Sequence, residues 1–271
     1  YSLGASTSSR NLVAGTTYFI PVLIKKSTGT TITTTVTGYQ NGVSRLVPVT
    51  FGLPTKLMVL VPGETALQGS STGKTGAPAN PFVVNSMFTI TVNACDQYWN
   101  IVTDTDTKVA ATTTDLYDNE SNLQPQFQLV NGTLTRDITF KTGNMQGFNL
   151  VYATHTISVT QYPPYVIAST ITPILTVNPG TQDRLLVAVP GETIVPGTST
   201  VTGKIGTPDP QSAGISFLIT VLGCDNQWNR RDNSITATVK LYTTDPYDNV
   251  SPNDYEPSAY TLVNGSSTVN I

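Results

Sequence analysis

Phe88-Thr-Ile-Thr-Val-Asn-Ala-Cys-Asp-Gln-Tyr-Trp-Asn100 returns, 129 residues later, as Phe217-Leu-Ile-Thr-Val-Leu-Gly-Cys-Asp-Asn-Gln-Trp-Asn229. Cys95, Asp96, Trp99 and Asn100 match Cys224, Asp225, Trp228 and Asn229 at that one spacing. In each copy apolar residues alternate, Phe88, Ile90, Val92 and Ala94 in the first and Phe217, Ile219, Val221 and Gly223 in the second. A period of two predicts a strand with one face in a core. The Asp that ends it suits a turn, because its carboxylate can accept a bond from the backbone two residues on.

The match runs outward from this stretch. LMVLVPGET at 57–65 returns as LLVAVPGET at 185–193, and STGKTGAP at 71–78 as VTGKIGTP at 201–208. TTDLYDN at 113–119 returns as TTDPYDN at 243–249, and LVNGT at 129–133 as LVNGS at 262–266. Ordered matches at nearly constant spacing are the mark of tandem copies of one fold. LVAGT at 12–16 opens a third, partial copy. The phase that follows is unusual: 1–52 reads as the second half of a repeat, 53–180 as a whole repeat, and 181–271 as the first part of another, stopping after its LVNG motif.

Composition agrees with strands. Of 271 residues, 11% are charged and 38% apolar, and no stretch carries a helical period. Within the whole repeat, strands are expected at 57–61, 88–94, 108–113, 127–130, 133–140, 148–159 and 171–177, with a short edge strand in 62–86. Many short strands between turn signals predict an all-β sandwich or barrel. The expected core is Val59, Phe88, Ile90, Val92, Val109 and Ile138, with Val187, Phe217, Ile219, Val221 and Val239 in the next copy. The net charge of −3 gives no basic footprint for nucleic acid. No apolar run nears the roughly 18 residues of a membrane span. The sequence has no initiator Met and no signal peptide, so it reads as a mature form or an excerpt.

The strand–DxxxN–strand pattern around Asp96 and Asn100, with PGET, TGK and LVNG, resembles the bacterial immunoglobulin-like (Big) repeats of invasin, intimin and other large surface adhesins. The likeness covers nearly the whole chain. It departs at Trp99 and Trp228, where the invasin type usually has Gly. What it implies is tandem immunoglobulin-like Greek-key β-sandwiches, an extracellular place at the cell surface, and a structural role of reach, adhesion or assembly, with no catalysis.

Several residues are candidates for chemistry. Glu64, Asp96, Asp115 and Asp118 recur as Glu192, Asp225, Asp245 and Asp248, and turn carboxylates of this kind can hold structural calcium; the plainer reading is that they cap turns. No other cofactor is expected. Cys95 and Cys224 fall out of phase with the core face. They read either as small residues packed under the next loop or as an intermolecular disulfide. Trp99 and Trp228 either cover a domain end or contact a glycan or partner protein. The one histidine, His155, is expected on a strand surface. Lys74 and Lys204 match, but no acid–Lys–Asn trio accompanies them. Asn119, Asn131, Asn249 and Asn264 head N-x-S/T triplets.

Three functional readings follow: a stalk, fibre or head-to-tail filament; a ligand-binding adhesin segment; and an accessory module of a secreted enzyme. The phase sharpens the first. Partners are then other copies of the chain or flanking repeats of a longer one. Residues 1–52 are expected to supply, by strand complementation, the strands that 181–271 lacks.

Overall fold

The computed structural model describes residues 15, 23–118, 126–144, 152–163, 166–231, 237–245 and 259–271. Every regular element among them is a β-strand. No helix among them is long and apolar enough to cross a membrane.

Phe88–Cys95 is the central strand of the whole repeat. It pairs antiparallel with Lys56–Leu60 on one side and Thr133–Ile138 on the other. A second sheet runs Thr170–Ile171, Ile157–Gln161, Lys108–Thr113, Phe127–Gln128. A third runs Ala153–His155, Leu175–Asn178, Phe82–Val83, its last pair parallel. Side chains from all three sheets meet in one buried cluster that includes Leu57, Val59, Ile90, Val92, Val109, Ile138, Ile157 and Leu175. Phe88 packs against it half-buried.

The next repeat rebuilds the first of these sheets in the same register. Leu218–Asp225 lies between Gln182–Ala188 and Ser266–Asn270. Leu57 faces Ala94, and their matches Leu185 and Gly223 face each other likewise. Thr238–Lys240 pairs with Ala259–Thr261 as Lys108–Thr113 pairs with Phe127–Gln128.

Two expected strands are split. The chain over 148–159 breaks at Thr156: Ala153–His155 pairs with Leu175–Asn178, while Ile157–Gln161 pairs with Lys108–Thr113 in a different sheet. The partner stretch breaks opposite, between Thr170–Ile171 and Leu175–Asn178. Pro173 has no N–H for a ladder, and the Thr172 hydroxyl takes the Ile157 N–H at 2.9 Å instead. The hairpin thus crosses from one sheet to another at the point where its ladder is interrupted.

The one-face expectation for the central strand also gives way. Val92, Asn93, Ala94 and Cys95 are all buried. The second face is covered by a hairpin, Glu64–Ala66 with Lys74–Gly76, and its match is Glu192–Ile194 with Lys204–Gly206. In the later copy Leu186, Ala188, Ile194, Leu222, Cys224 and Trp228 form this second cluster.

The first described stretch is a ribbon. Thr33–Thr34 pairs with Gly42–Val43, and Thr30 bridges Val47. Leu23, Ile32, Val36, Val43 and Leu46 on it are exposed.

Val187 departs from the expected core. It is 39% exposed and Leu185 49%, whereas Val59 and Leu57 are each 1% exposed. Leu186 and Ala188, between and beside them, are buried. The difference lies on one face only, the face that Ile157–Gln161 and 166–171 cover in the whole repeat, where Leu57 N–H bonds the Ala168 carbonyl at 3.0 Å. Leu57→Ala should therefore destabilise by about 2–5 kcal/mol, and Leu185→Ala in an isolated chain by under about 1 kcal/mol. Denaturant melts of the two variants, followed by tryptophan fluorescence, check the contrast.

Candidate functional site

The Asp at the end of each central strand organises a turn and a joint at once. Asp96 Oδ1 accepts the Tyr98 and Asn100 N–H groups at 2.8 and 3.0 Å. Its Oδ2 accepts the Asn100 side-chain N–H and, across the joint, the Gly52 N–H, each at 2.9 Å. Asp225 repeats the arrangement: Gln227 and Asn229 N–H on Oδ1 at 2.8 and 3.0 Å, and Gly180 N–H on Oδ2 at 2.7 Å. Both carboxylates are buried. Burial pushes the Asp96 pKa up, but the hydrogen bonds, that from Gly52 foremost, outweigh it and hold the carboxyl below its ordinary value.

The Asn that closes each motif reaches into the preceding repeat. Asn100 Oδ1 accepts the Ser27 N–H at 2.8 Å while its Nδ2 donates to the Lys25 carbonyl at 2.7 Å. Asn229 does the same to Gly143 and Lys141, at 2.7 and 2.8 Å. A carboxamide offers a donor and an acceptor side by side, as the edge of a neighbouring strand would. Asp cannot replace it, since a carboxylate would face the carbonyl of Lys25 or Lys141 with no proton to give.

The 141–143 segment shows how complete the joint is. Asp115 Oδ2 takes the Lys141 and Thr142 N–H groups at 2.7 and 2.9 Å, and Oδ1 takes the Thr142 hydroxyl at 2.7 Å. His155 Nε2 lies 2.9 Å from the Thr142 carbonyl, so it is the nitrogen that carries the proton. Ala153 N–H bonds the Gly143 carbonyl at 3.1 Å. With the two bonds to Asn229, all six backbone polar groups of 141–143 are paired, four inside their own repeat and two across the joint. Gly197 then approaches so closely that a Cβ there would lie 2.1 Å from Thr142 Oγ1, and Gly69 approaches Lys26 in the same way.

Trp99 and Trp228 sit at φ 65° and 62°, in the left-handed region that glycine tolerates and Trp does not. Here the indole offsets the strain. Nε1 donates to the Ser71 carbonyl at 3.3 Å, or to Thr200 at 2.8 Å. The ring lies on Gly73 or Gly203, where any Cβ would fall within 2.4 Å of it. Lys56 and Arg184 stack over the outer faces at 4.1 and 4.6 Å. The indoles thus clamp the covering hairpins onto the sheet. Trp228 is buried and Trp99 half-buried.

The remaining acids also have local work. Glu64 pairs with Lys74 at 2.8 Å and Glu192 with Lys204 at 2.6 Å. Both lysines also bond a strand carbonyl, Val59 or Val187. This ties the hairpin to the sheet and accounts for the matched PGET and TGK motifs. Burial raises the Glu192 pKa, but the Lys204 hydrogen bond prevails and lowers it below the ordinary value. Asp118 accepts from the Thr113 hydroxyl. Asp245, the match of Asp115, is exposed, and its N–H bonds Thr243 Oγ1 at 3.2 Å. Asp248, Asn119 and Asn249 lie outside the described residues.

Calcium does not fit Asp96, Asp115, Asp225, Glu64 or Glu192. It takes six to eight oxygens, but Asp96, Asp115 and Asp225 are already engaged by N–H and O–H donors, and Glu64 and Glu192 by lysines. Among the described residues, no three acidic, His or Cys side chains are grouped to hold a metal. Cys95 and Cys224 are free and fully buried. Burial first, then the neighbouring Asp carboxylate, pushes each thiol up to about 12. Cys224 packs with Trp228 under the loop. A bridge to another chain needs an exposed sulfur, and neither has one. His155 is likewise no surface residue: it is buried, stacked on Phe140 at 4.9 Å, with Asp115 Oδ2 at 3.8 Å.

Sequence reasoning placed Asp96 and Asp225 at turns but missed their cross-joint partners at Gly52, Gly180, Lys25–Ser27 and Lys141–Gly143. The signal was present in Asn100 and Asn229, which recur with the Asp. No protein-family model matches this chain, and no curated protein matches it.

The Asp96 shift gives a pH dependence. A depressed folded pKa contributes stability above the unfolded value of about 3.9, and that stability is lost as pH falls through the lower folded value. Asp96→Asn should therefore be less stable than the parent at pH 7 and should lose less between about pH 5 and pH 3. Urea melts across that range test it. Chelator should leave the melting temperature unchanged; a rise of several degrees on adding calcium would contradict the pairing described here.

Proposed function

We propose that this chain is a structural segment of an extracellular, bacterial-type surface protein, a tandem array of immunoglobulin-like Greek-key sandwiches that acts as a stalk or fibre. The observation that carries this reading is the joint. The same Asp–Asn pair holds the preceding repeat through the same backbone groups at both boundaries, Gly52 and Lys25–Ser27 in one, Gly180 and Lys141–Gly143 in the other. A flexible linker would need no such bonds, and an enzyme would need a cleft where titratable groups converge. Here the buried acids face backbone N–H groups, and the one histidine is stacked in the core and bonded to a carbonyl. The DxxxN strand-end pattern supports the extracellular placement by resemblance.

Stiffness is what such joints provide. Asn100→Ala with Asn229→Ala removes the amide from both and leaves two backbone groups unpaired at each. The double variant should keep its β circular dichroism but bend. Small-angle scattering should show a broader and shorter distribution of interatomic distances than the parent. An unchanged distribution would sink the proposed role of these bonds.

A further inference from the structure

The covering hairpins touch more than the sheets they cover. In the later one, Glu192–Ile194 with Lys204–Gly206, Ile194 packs with Leu186, Leu222 and Cys224. The loop between its strands, 195–203, reaches the joint. There Pro196, Gly197 and Thr198 are buried in succession. Gly197, at φ 84°, donates its N–H to the Gln227 carbonyl at 2.8 Å, inside the Asp225–Asn229 turn. Its other side lies against the preceding repeat. A Cβ on Gly197 would clash with Thr142 Oγ1 and lie 3.0 Å from Tyr117 Cδ2. Glycine is required there both by the backbone and by the lack of room.

The earlier hairpin makes the same contact. Gly69, the match of Gly197, has φ 78° and donates to the Tyr98 carbonyl at 2.9 Å. A Cβ on it would lie 2.8 Å from Lys26 Cβ. Beside it, Gln68 Oε1 accepts from the Ser27 hydroxyl at 3.4 Å. In both places the tip of the hairpin is held between the turn of its own repeat and a strand end of the repeat before.

The two sides of the tip are fastened differently. On its own side, Lys204 Nζ bonds the Val187 carbonyl at 2.7 Å and Glu192 at 2.6 Å, and the Thr200 carbonyl takes the Trp228 indole at 2.8 Å. On the far side the wall is Thr142. It lies between Lys141 and Gly143, the two residues that Asn229 binds. The bonds that seat the preceding strand therefore also press Thr142 onto the hairpin.

We propose that each covering hairpin is a strap across its joint, held shut by the preceding repeat, so that loosening the joint lifts the strap and opens the second face of the central strand. This inference rests on the array reading and adds a regulation to it: bending the array at one joint uncovers one buried face. Cys95 and Cys224 report the opening. Each is 0% exposed under its strap, and burial holds each thiol at about 12. Such a group alkylates only through local opening, where it returns toward its ordinary value of about 8.5.

Alkylation of the folded chain by excess iodoacetamide near pH 8, with mass spectrometry of the two cysteine peptides, tests this. Both thiols of the parent should react slowly. Lys204→Ala unfastens the later strap from its own side and should speed Cys224 alone. Thr142→Gly changes only the preceding repeat, and Asn229→Ala unseats it. Each should speed Cys224 about tenfold, as expected for the loss of one or two hydrogen bonds, and leave Cys95 unchanged. Asn100→Ala should do the reverse. A Cys224 rate that Thr142→Gly and Asn229→Ala leave unchanged overturns the strap, and so does one that Lys204→Ala leaves unchanged. Equal acceleration of both thiols by a single variant is general loosening and overturns it too. Scattering reads the array separately: a stiff parent whose thiols ignore the joint variants keeps the proposed function and loses the strap.

Discussion

Backbone polar groups at the end of a sheet are the constraint on which this structure turns. Where the central strand stops at Asp96, the ladder that paired its N–H and C=O groups stops too, and unpaired buried groups are costly. The Asp carboxylate replaces the ladder. It collects two N–H groups of its own turn and one from Gly52 of the preceding segment. Because the turn is held in that shape, Asn100 is carried to where its amide meets Lys25 and Ser27. The same carboxylate thus fixes a loop and, through that loop, the neighbour.

The turn's shape has a second consequence. Holding residue 99 at positive φ strains any side chain but glycine, by about 1 kcal/mol for a non-Gly residue. Trp there is retained because of what its ring reaches. Each indole bonds a carbonyl of the covering hairpin, and Gly73 or Gly203 lets it lie flat on that hairpin's backbone. The matched Glu–Lys pairs fasten the other end. Together they close the second face of the central strand, which is why Cys95 and Cys224 are buried although they alternate away from the main core.

That closure marks the limit of what the sequence revealed. The all-β character and most strands were legible, because period-two alternation is a property of the chain itself. Cover supplied by distant residues was not. Alternation predicted one buried face for 88–95 and had no way to register the hairpin over the other. It placed Val187 in the core because Val59 is there, but Val59 is covered by residues a hundred positions later. His155 looked like a surface residue by its neighbours, yet the break at Thr156 moves it into a different sheet from Ile157. The recurring acids were visible as a set. Their partners were backbone N–H groups, which every sequence contains and none advertises.

The position of the joint bonds within the repeat bears on stability as well as shape. Each joint takes its receptor, Asp and Asn, from the first half of one repeat and its ligand groups from the second half of the repeat before. At the first joint, Gly52 to Asp96, Ser27 to Asn100 and Asn100 to Lys25 are three bonds between neighbours. At about 0.5–1.5 kcal/mol each, they total roughly 1.5–4.5 kcal/mol. That is a large fraction of the 5–15 kcal/mol by which a domain is stable. Neighbouring repeats therefore support one another, in the manner of a one-dimensional array with favourable nearest-neighbour terms. Lys141 to Gly143 shows the mechanism. Asp115 and His155 hold it from inside its repeat and Asn229 from the next, so opening either repeat strips partners from a segment the other depends on.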